Sequence, residues 1–123
     1  MIRFAVSLGL SLLLLSGATL ADSPRVVAAT ATQEADGTWT VDVTLQHPDT
    51  GWDHYASAWR LLTPEGTVLG ERELTHPHVD EQPFTRSLSG IVIPRGLRMV
   101  LIQPRCTMDG WVPVPTQLSL PDN

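Results

Sequence analysis

The chain has 123 residues, a formal net charge of −5 and a single cysteine. The acidic balance argues against nucleic acid or an anionic membrane as partner, because both require a basic surface. One thiol cannot form an internal disulfide, so the folded domain must be stabilised by its hydrophobic core.

Residues 1–21 have the pattern of a secretory signal peptide. Arg3 supplies a positive charge, residues 4–15 are almost unbroken apolar sequence, and small residues lead to a cleavage position after Ala21. The apolar run is short for a membrane span, and no cysteine stands at the cleavage position to carry a lipid. We therefore expect an exported, soluble, periplasmic protein that does not insert into the membrane after cleavage; an uncleaved N-terminal anchor is the alternative. Removing 21 residues from 123 leaves residues 22–123, a single small domain of 102 residues.

The first half of this domain alternates between apolar and polar residues, which predicts β-strands. Residues 26–32 form the first predicted strand, and Asp36-Gly37 predicts a two-residue hairpin turn. The second strand spans residues 38–46, and its apolar face consists of Trp39, Val41, Val43 and Leu45. Such alternation is typical of an antiparallel strand with one face in the core.

Five further strands are predicted at residues 56–62, 67–74, 84–93, 97–102 and 111–120. Gly70 suggests a bulge within the fourth strand. Residues 97–102 are the most apolar run after the signal, which predicts a position in the middle of a sheet. Pro113 and Pro115 have no amide hydrogen and cannot both lie in a fully paired central ladder, so the last strand is expected at an edge.

These short strands, separated by evenly spaced turns and without a helical period, predict an all-β fold. The leading architecture is a β-sandwich of about seven antiparallel strands, of immunoglobulin or fibronectin-III type. Trp59 is the expected buried tryptophan of its core, with Trp39 facing it. A small closed barrel is the alternative architecture.

Two polar blocks carry a resemblance to known proteins. Residues 51–56 (GWDHYA) and 76–88 (HPHVDEQPFTRSL), together with Trp59 and Leu69-Gly70, resemble a family of small exported bacterial proteins. The resemblance covers about residues 39–111. It implies an exported β-domain in which the two polar blocks belong to one unit, and it implies no particular activity or cofactor.

Transition-metal binding is the sharpest functional hypothesis. Pro77 favours an extended backbone, in which His76 and His78 share a face and can occupy two positions around one ion. His54 offers a third imidazole if both loops lie at the same end of the sandwich, whereas loops at opposite ends would break the site. Cys106 and Met108 form a second pair of donors with soft sulfur atoms, suited to Cu(I). The predicted ligands for copper or zinc are thus His76, His78, His54, Cys106 and Met108, and the other available donors are His47, Asp53, Asp80, Glu81 and Met99.

A purely structural role for the loop of residues 75–87 is the main alternative. Its acidic side chains can accept hydrogen bonds from Arg86, while Phe84 and Val79 can anchor it to the core. Cys106 is expected to be buried, because a free cysteine behaves as a small hydrophobic residue.

The remaining function classes are catalysis and molecular recognition. The chain has no nucleophile elbow, phosphate-binding glycine loop or zinc-protease helix motif, so we expect no enzymatic activity. Exposed aromatic residues near loops are common binding anchors. The favoured function is a non-catalytic binding module without a resident cofactor, for an unidentified protein or small ligand, with metal binding at the histidine loop as the alternative. Its predicted contact residues are Trp52, Asp53, His54, Tyr55, Glu81 and Arg86.

Overall fold

The computed structural model describes residues 23–122, so the predicted signal peptide lies outside the described residues. Eight strands follow in chain order: β1 (Arg25–Gln33), β2 (Trp39–Gln46), β3 (Ala56–Leu62), β4 (Val68–Glu73), β5 (Phe84–Ile91), β6 (Met99–Cys106), β7 (Gly110–Trp111) and β8 (Thr116–Ser119). Within this part of the chain, no helix has the length and apolar character needed to cross a membrane.

The strands form two antiparallel sheets. One sheet has the order β1-β2-β5, and the other has the order β4-β3-β6, with β7 and β8 both paired to β6. The predicted all-β sandwich is therefore confirmed. The closed barrel is wrong, because the two sheets pair separately.

The core lies between the sheets and follows the predicted alternation. Trp39, Val41, Val43 and Leu45 of β2 are completely buried, while the intervening residues of β2 are half-buried. Trp59 and Leu61 of β3 are also completely buried. Burying a large apolar side chain contributes about 1.5–3 kcal/mol, so these residues account for much of the stability of a domain without a disulfide.

The first hairpin differs from the prediction in its loop length. The amide of Glu34 donates to the carbonyl of Thr38 at 2.8 Å, which leaves a loop of three residues, 35–37. Gly37 has a φ of 89° at the end of this loop. The predicted two-residue turn is therefore wrong. The loop has three residues, and its last residue, Gly37, adopts the left-handed conformation that three-residue hairpin loops require there.

The C-terminal part also differs from the prediction. One strand over residues 111–120 is wrong: β7 and β8 are separate segments, because Pro113 and Pro115 between them have no amide hydrogen for a ladder. Both segments pair with β6 at the edge of the larger sheet, as expected for a proline-rich strand. Residues 99–102 of the apolar run form the first half of β6, which lies between β3 and these edge segments and continues to Cys106, while Leu97 and Arg98 precede the strand.

Gly70 lies where the two sheets approach closely. The register of β3 and β4 shifts at Leu69, one residue from the predicted bulge position. A Cβ atom on Gly70 would lie 2.8 Å from Cδ2 of Leu88 on β5. A side chain at this position therefore fits only if the end of the Leu88 side chain shifts.

Strand pairing brings several loops together at one end of the sandwich. Ala56 at the start of β3 pairs with Cys106 at the end of β6. Leu45 near the end of β2 pairs with Phe84 at the start of β5. The segments that follow β2, precede β3 and precede β5 consequently lie near the end of β6; these segments carry all four histidines, and Cys106 is the last residue of β6.

Candidate metal centre

His47 follows β2 and is held in a fixed orientation. Its Nδ1 atom lies 2.5 Å from Oδ1 of Asp49, and both side chains are inaccessible to solvent. Its backbone amide donates to Oε1 of Gln82 at 3.0 Å. Since Nδ1 is engaged, Nε2 is the ring nitrogen that remains available to a ligand.

Asp49 connects three of the converging segments. Besides contacting His47, its Oδ1 atom accepts from the amide of Ala56 at 3.0 Å, and Oδ2 accepts from the amide of His78 at 2.8 Å. A buried carboxylate is tolerated when it accepts several such hydrogen bonds. Asp49 therefore links the end of β2 to the start of β3 and to the histidine loop.

His54 precedes β3 in a short closed turn. The amide of Thr50 donates to the carbonyl of His54 at 2.9 Å, and the amide of His54 donates to the carbonyl of Gly51 at 3.2 Å. Its ring meets the ring of His47 edge-on, with centroids 4.8 Å apart and planes at 86°. The turn thus places the two imidazoles side by side.

Cys106 ends β6 and is completely buried. The next residue ties this strand end to the His54 turn: Thr107 donates its amide to the carbonyl of Tyr55 at 3.0 Å, and its hydroxyl donates to the carbonyl of Asp53 at 3.2 Å. The hydroxyl also accepts from the amide of Tyr55 at 3.1 Å. Three hydrogen bonds therefore fix the thiol relative to the loop that carries His54.

The three side chains form a donor cluster. One potential ligand atom from each of His47, His54 and Cys106 lies within 4.8 Å of the other two. The Nε2 atoms of both histidines are buried and have no hydrogen-bond partner. Such buried unpaired nitrogens are uncommon in folded proteins, and a metal ion is one group that would satisfy them.

Two of the predicted metal ligands, His54 and Cys106, belong to this cluster, and the other three lie outside it. His76 is exposed, with Nδ1 3.0 Å from the carbonyl of Pro77. His78 is buried and stacks on Phe84 with ring centroids 3.8 Å apart, and its Nε2 atom lies 2.8 Å from the guanidinium of Arg86. Met108 is 67% exposed.

The third member, His47, was an available donor outside the predicted set. The local signal for it is the His-x-Asp spacing directly after an amphipathic strand, since metal-bound histidines commonly bond a carboxylate through the second ring nitrogen. The histidine loop and the His54 turn lie at the same end of the sandwich, because Asp49 bonds the amide of His78 and contacts His47.

The histidine loop is braced differently from the prediction. Arg86 donates to the carbonyl of Thr85 at 2.8 Å and to His78, rather than to the acidic side chains. Phe84 is buried as expected, but the predicted anchor Val79 is wrong, because it is 51% exposed. Burial lowers the pKa of His78 from its ordinary value of 6.5, and the positive charges of Arg86 and His76 add to that effect.

The predicted contact residues line the rim of this end. Trp52 is 69% exposed and meets Tyr55 edge-on with ring centroids 5.8 Å apart. Asp53 and Glu81 are exposed, while Arg86 is half-buried against His78. A cleft of about 510 Å³ opens beside this end, and its lining includes His47, Pro48, Gln82, Arg25, Pro104 and Val112.

The chain is similar to a known protein over part of its length and to a solved structure in its fold. No protein-family model matches the chain. A protein of Halomicrobium mukohataei with the name "Putative lipoprotein" is 46% identical over 69 residues, which are 56% of this chain and 33% of that protein. The chain thus spans about one third of the length of this relative. The crystal structure of a hypothetical protein from Pyrococcus horikoshii OT3 superposes with a TM-score of 0.54 at 17% identity, covering 80% of this chain and 89% of the other, which shows a shared fold.

Proposed function

We propose that this chain is an exported, non-catalytic binding domain whose ligand is a single transition-metal ion held by His47, His54 and Cys106. One observation carries the proposal. A ring nitrogen from each of His47 and His54 and the buried thiol of Cys106 lie within 4.8 Å of one another, and Nε2 of both histidines is buried without a hydrogen-bond partner. Imidazole and thiolate are the donors that copper and zinc prefer, whereas magnesium and calcium take oxygen.

The surroundings of the cluster support this assignment. Metal–nitrogen and metal–sulfur bonds of about 2.0–2.3 Å place ligand atoms about 3.5 Å apart, so the three donors need to approach by about 1 Å. The Asp49 carboxylate on Nδ1 of His47 is the kind of partner that orients a metal-bound imidazole and raises its basicity.

Export is supported by the signal-like residues 1–21 and by the name of the Halomicrobium relative. The immunoglobulin or fibronectin-III type of sandwich is supported by the antiparallel sheets β1-β2-β5 and β4-β3-β6-β8, joined by connections that cross between the sheets. Mass spectrometry of the protein recovered from the periplasm tests export directly. Cleavage after Ala21 is the expected result, and an intact N-terminus in the cytoplasm would contradict it.

Metal binding is tested on protein purified without a histidine tag. We expect stoichiometric metal on the isolated protein or on addition of Zn²⁺ or Cu⁺, measured by elemental analysis and by competition with a chromophoric chelator. Bound metal should raise the free energy of unfolding by about 2.7 kcal/mol at a hundredfold excess over Kd. The gain should diminish at acidic pH, because the thiol and the imidazoles must lose their protons to coordinate.

Substitutions then locate the site. Cys106→Ser and His54→Gln should each abolish stoichiometric binding, while His76→Gln, an exposed histidine of the neighbouring loop, should retain it. Circular dichroism checks that each variant is folded. Loss of binding in His76→Gln with retention in folded His54→Gln would place the site at the histidine loop instead, and a wild-type protein that binds no metal would remove the proposal.

Recognition of a partner protein is a second candidate function, favoured by the exposure of Trp52. A tryptophan that is 69% exposed and packs edge-on against Tyr55 is the kind of anchor that dominates protein interfaces. Cross-linking of the exported protein in intact cells should yield an adduct that Trp52→Ala loses and His76→Gln keeps. Identical adducts in wild type and Trp52→Ala would reject a role for this residue.

A further inference from the structure

We propose that the metal of this site is copper, bound as a thiolate complex that accepts and releases one electron between Cu(II) and Cu(I). This inference rests on the metal-binding function proposed above and specifies its ligand. It is carried by the type and number of the donors, by their burial and by the hydrogen bonds that fix their positions.

The donor set points to copper. Two imidazoles and one thiolate are the set that proteins use for trigonal copper centres engaged in electron transfer. Structural zinc sites are closed by four protein ligands, and in the described part of the chain this cluster contains three. Met108, two residues after Cys106, is 67% exposed and does not supply the fourth.

Burial argues against a catalytic zinc site with the same donors. Such a site keeps a water molecule in its fourth position and must admit a substrate. Cys106 is completely buried, and the Nε2 atoms of His47 and His54 are inaccessible to solvent. A site without room for substrate at the ligand atoms is better suited to electron transfer, in which only an electron has to reach the metal.

Hydrogen bonds also hold the ligands near one another before the metal binds, so that an approach of about 1 Å completes the site. Asp49 fixes the ring of His47, and the hydrogen bonds of Thr107 to Tyr55 and Asp53 fix Cys106 against the loop of His54. Fixed ligands favour a redox couple, because the same two nitrogens and one sulfur remain bound in both oxidation states. In the reduction of Cu(II) to Cu(I), the metal gains one electron from a one-electron reductant, while no bond forms or breaks and no proton moves.

The test is a spectroscopic titration of the full exported chain with Cu²⁺. We expect an intense visible absorption band from thiolate-to-copper charge transfer at one equivalent, and an electron paramagnetic resonance signal from Cu(II). Ascorbate should bleach both, and ferricyanide should restore both with one equivalent of electrons. Cys106→Ser should lose the visible band, while His76→Gln, as the matched control, should show it unchanged.

The possible outcomes separate this inference from the metal-binding function. A protein that binds zinc stoichiometrically, but binds Cu²⁺ without the thiolate band, overturns the copper assignment and leaves the metal site in place. Oxidation of Cys106 by Cu²⁺ to a disulfide-linked dimer also overturns it. A protein that binds neither metal overturns both proposals. If Cys106→Ser does not fold, His54→Gln serves instead, and a band of unchanged position and intensity in that variant refutes the proposed ligand set.

Discussion

Oδ1 of Asp49 lies 2.5 Å from Nδ1 of His47, and the same carboxylate accepts hydrogen bonds from the amides of Ala56 and His78. One buried side chain therefore orients a proposed metal ligand and connects three segments of the chain. Its contribution to stability and its contribution to metal affinity can be measured separately.

We expect Asp49→Asn to destabilise the metal-free protein by about 2–4 kcal/mol, because an amide cannot accept all three hydrogen bonds. Metal affinity should fall about 10–100-fold, since the imidazole of His47 loses its orienting partner. Urea denaturation and chelator competition measure the two effects. Asp53→Asn, an exposed neighbour, is the control and should change neither; equal behaviour of the two variants would refute the role of Asp49.

The core tryptophans provide a second prediction. Trp59→Ala should cost about 3–5 kcal/mol, which is a large part of the stability of a small domain. The indole nitrogen of Trp59 is buried without a hydrogen-bond partner, so Trp59→Phe, which removes that group and keeps an aromatic ring, should cost less than Trp59→Ala. Thermal melts measure both. Trp39→Ala should resemble Trp59→Ala, and exposed Trp52→Ala should shift stability by about 0.5 kcal/mol or less.

A third prediction concerns the contact between the sheets at Gly70. Gly70→Ala should destabilise the protein by about 1 kcal/mol, because the new Cβ atom would lie 2.8 Å from Cδ2 of Leu88 and the end of that side chain would have to shift. If that contact is the cause, the same substitution should cost much less in a Leu88→Ala background. A double-mutant cycle by urea denaturation measures the coupling. Additive effects would show that the cost arises from the backbone of β4 and not from Leu88.

The lowered pKa of His78 gives a fourth prediction. In the folded protein the imidazole of His78 resists protonation. Below its ordinary pKa of 6.5 the unfolded chain therefore binds more protons than the folded one. The free energy of unfolding of the metal-free protein should therefore fall as pH drops below 6.5, and the fall should level off below the native pKa. His78→Gln should show a weaker dependence between pH 5 and 7.5.

The neighbours of His78 sharpen this test. Burial is the main cause of the lowered pKa, with Arg86 and His76 adding positive charge, while Asp49 and Glu81 act in the opposite direction. Neutralising His76 by His76→Gln should therefore raise the pKa of His78 slightly and weaken the dependence by a smaller amount than His78→Gln does. An unchanged pH profile in His78→Gln would mean that other groups cause the acid sensitivity.

Local sequence was enough to predict the strands and the core of this protein. Alternation with period two predicts Trp39, Val41, Val43 and Leu45 on one face, and the structure buries all four. This works because successive side chains of a strand point to opposite faces, so the pattern of burial is recorded in neighbouring residues. The same local reasoning failed at two places. One additional residue changes the type of hairpin loop at residues 35–37, and the missing amide hydrogens of Pro113 and Pro115 divide the last predicted strand in two.

The metal centre could be predicted only in part, and the reason is physical. The His76-x-His78 spacing is a local signal, yet the ring of His78 stacks on Phe84 and contacts Arg86, and His78 does not belong to the donor cluster. His47, His54 and Cys106 are instead brought together by the register that pairs Ala56 with Cys106 and by the hydrogen bonds of Asp49 and Thr107. The sequence by itself determined an all-β domain with a Trp-rich core and an available set of nitrogen and sulfur donors. Only the tertiary structure decided which of them converge, because the donors are far apart along the chain and strand pairing and loop hydrogen bonds set the distances between them.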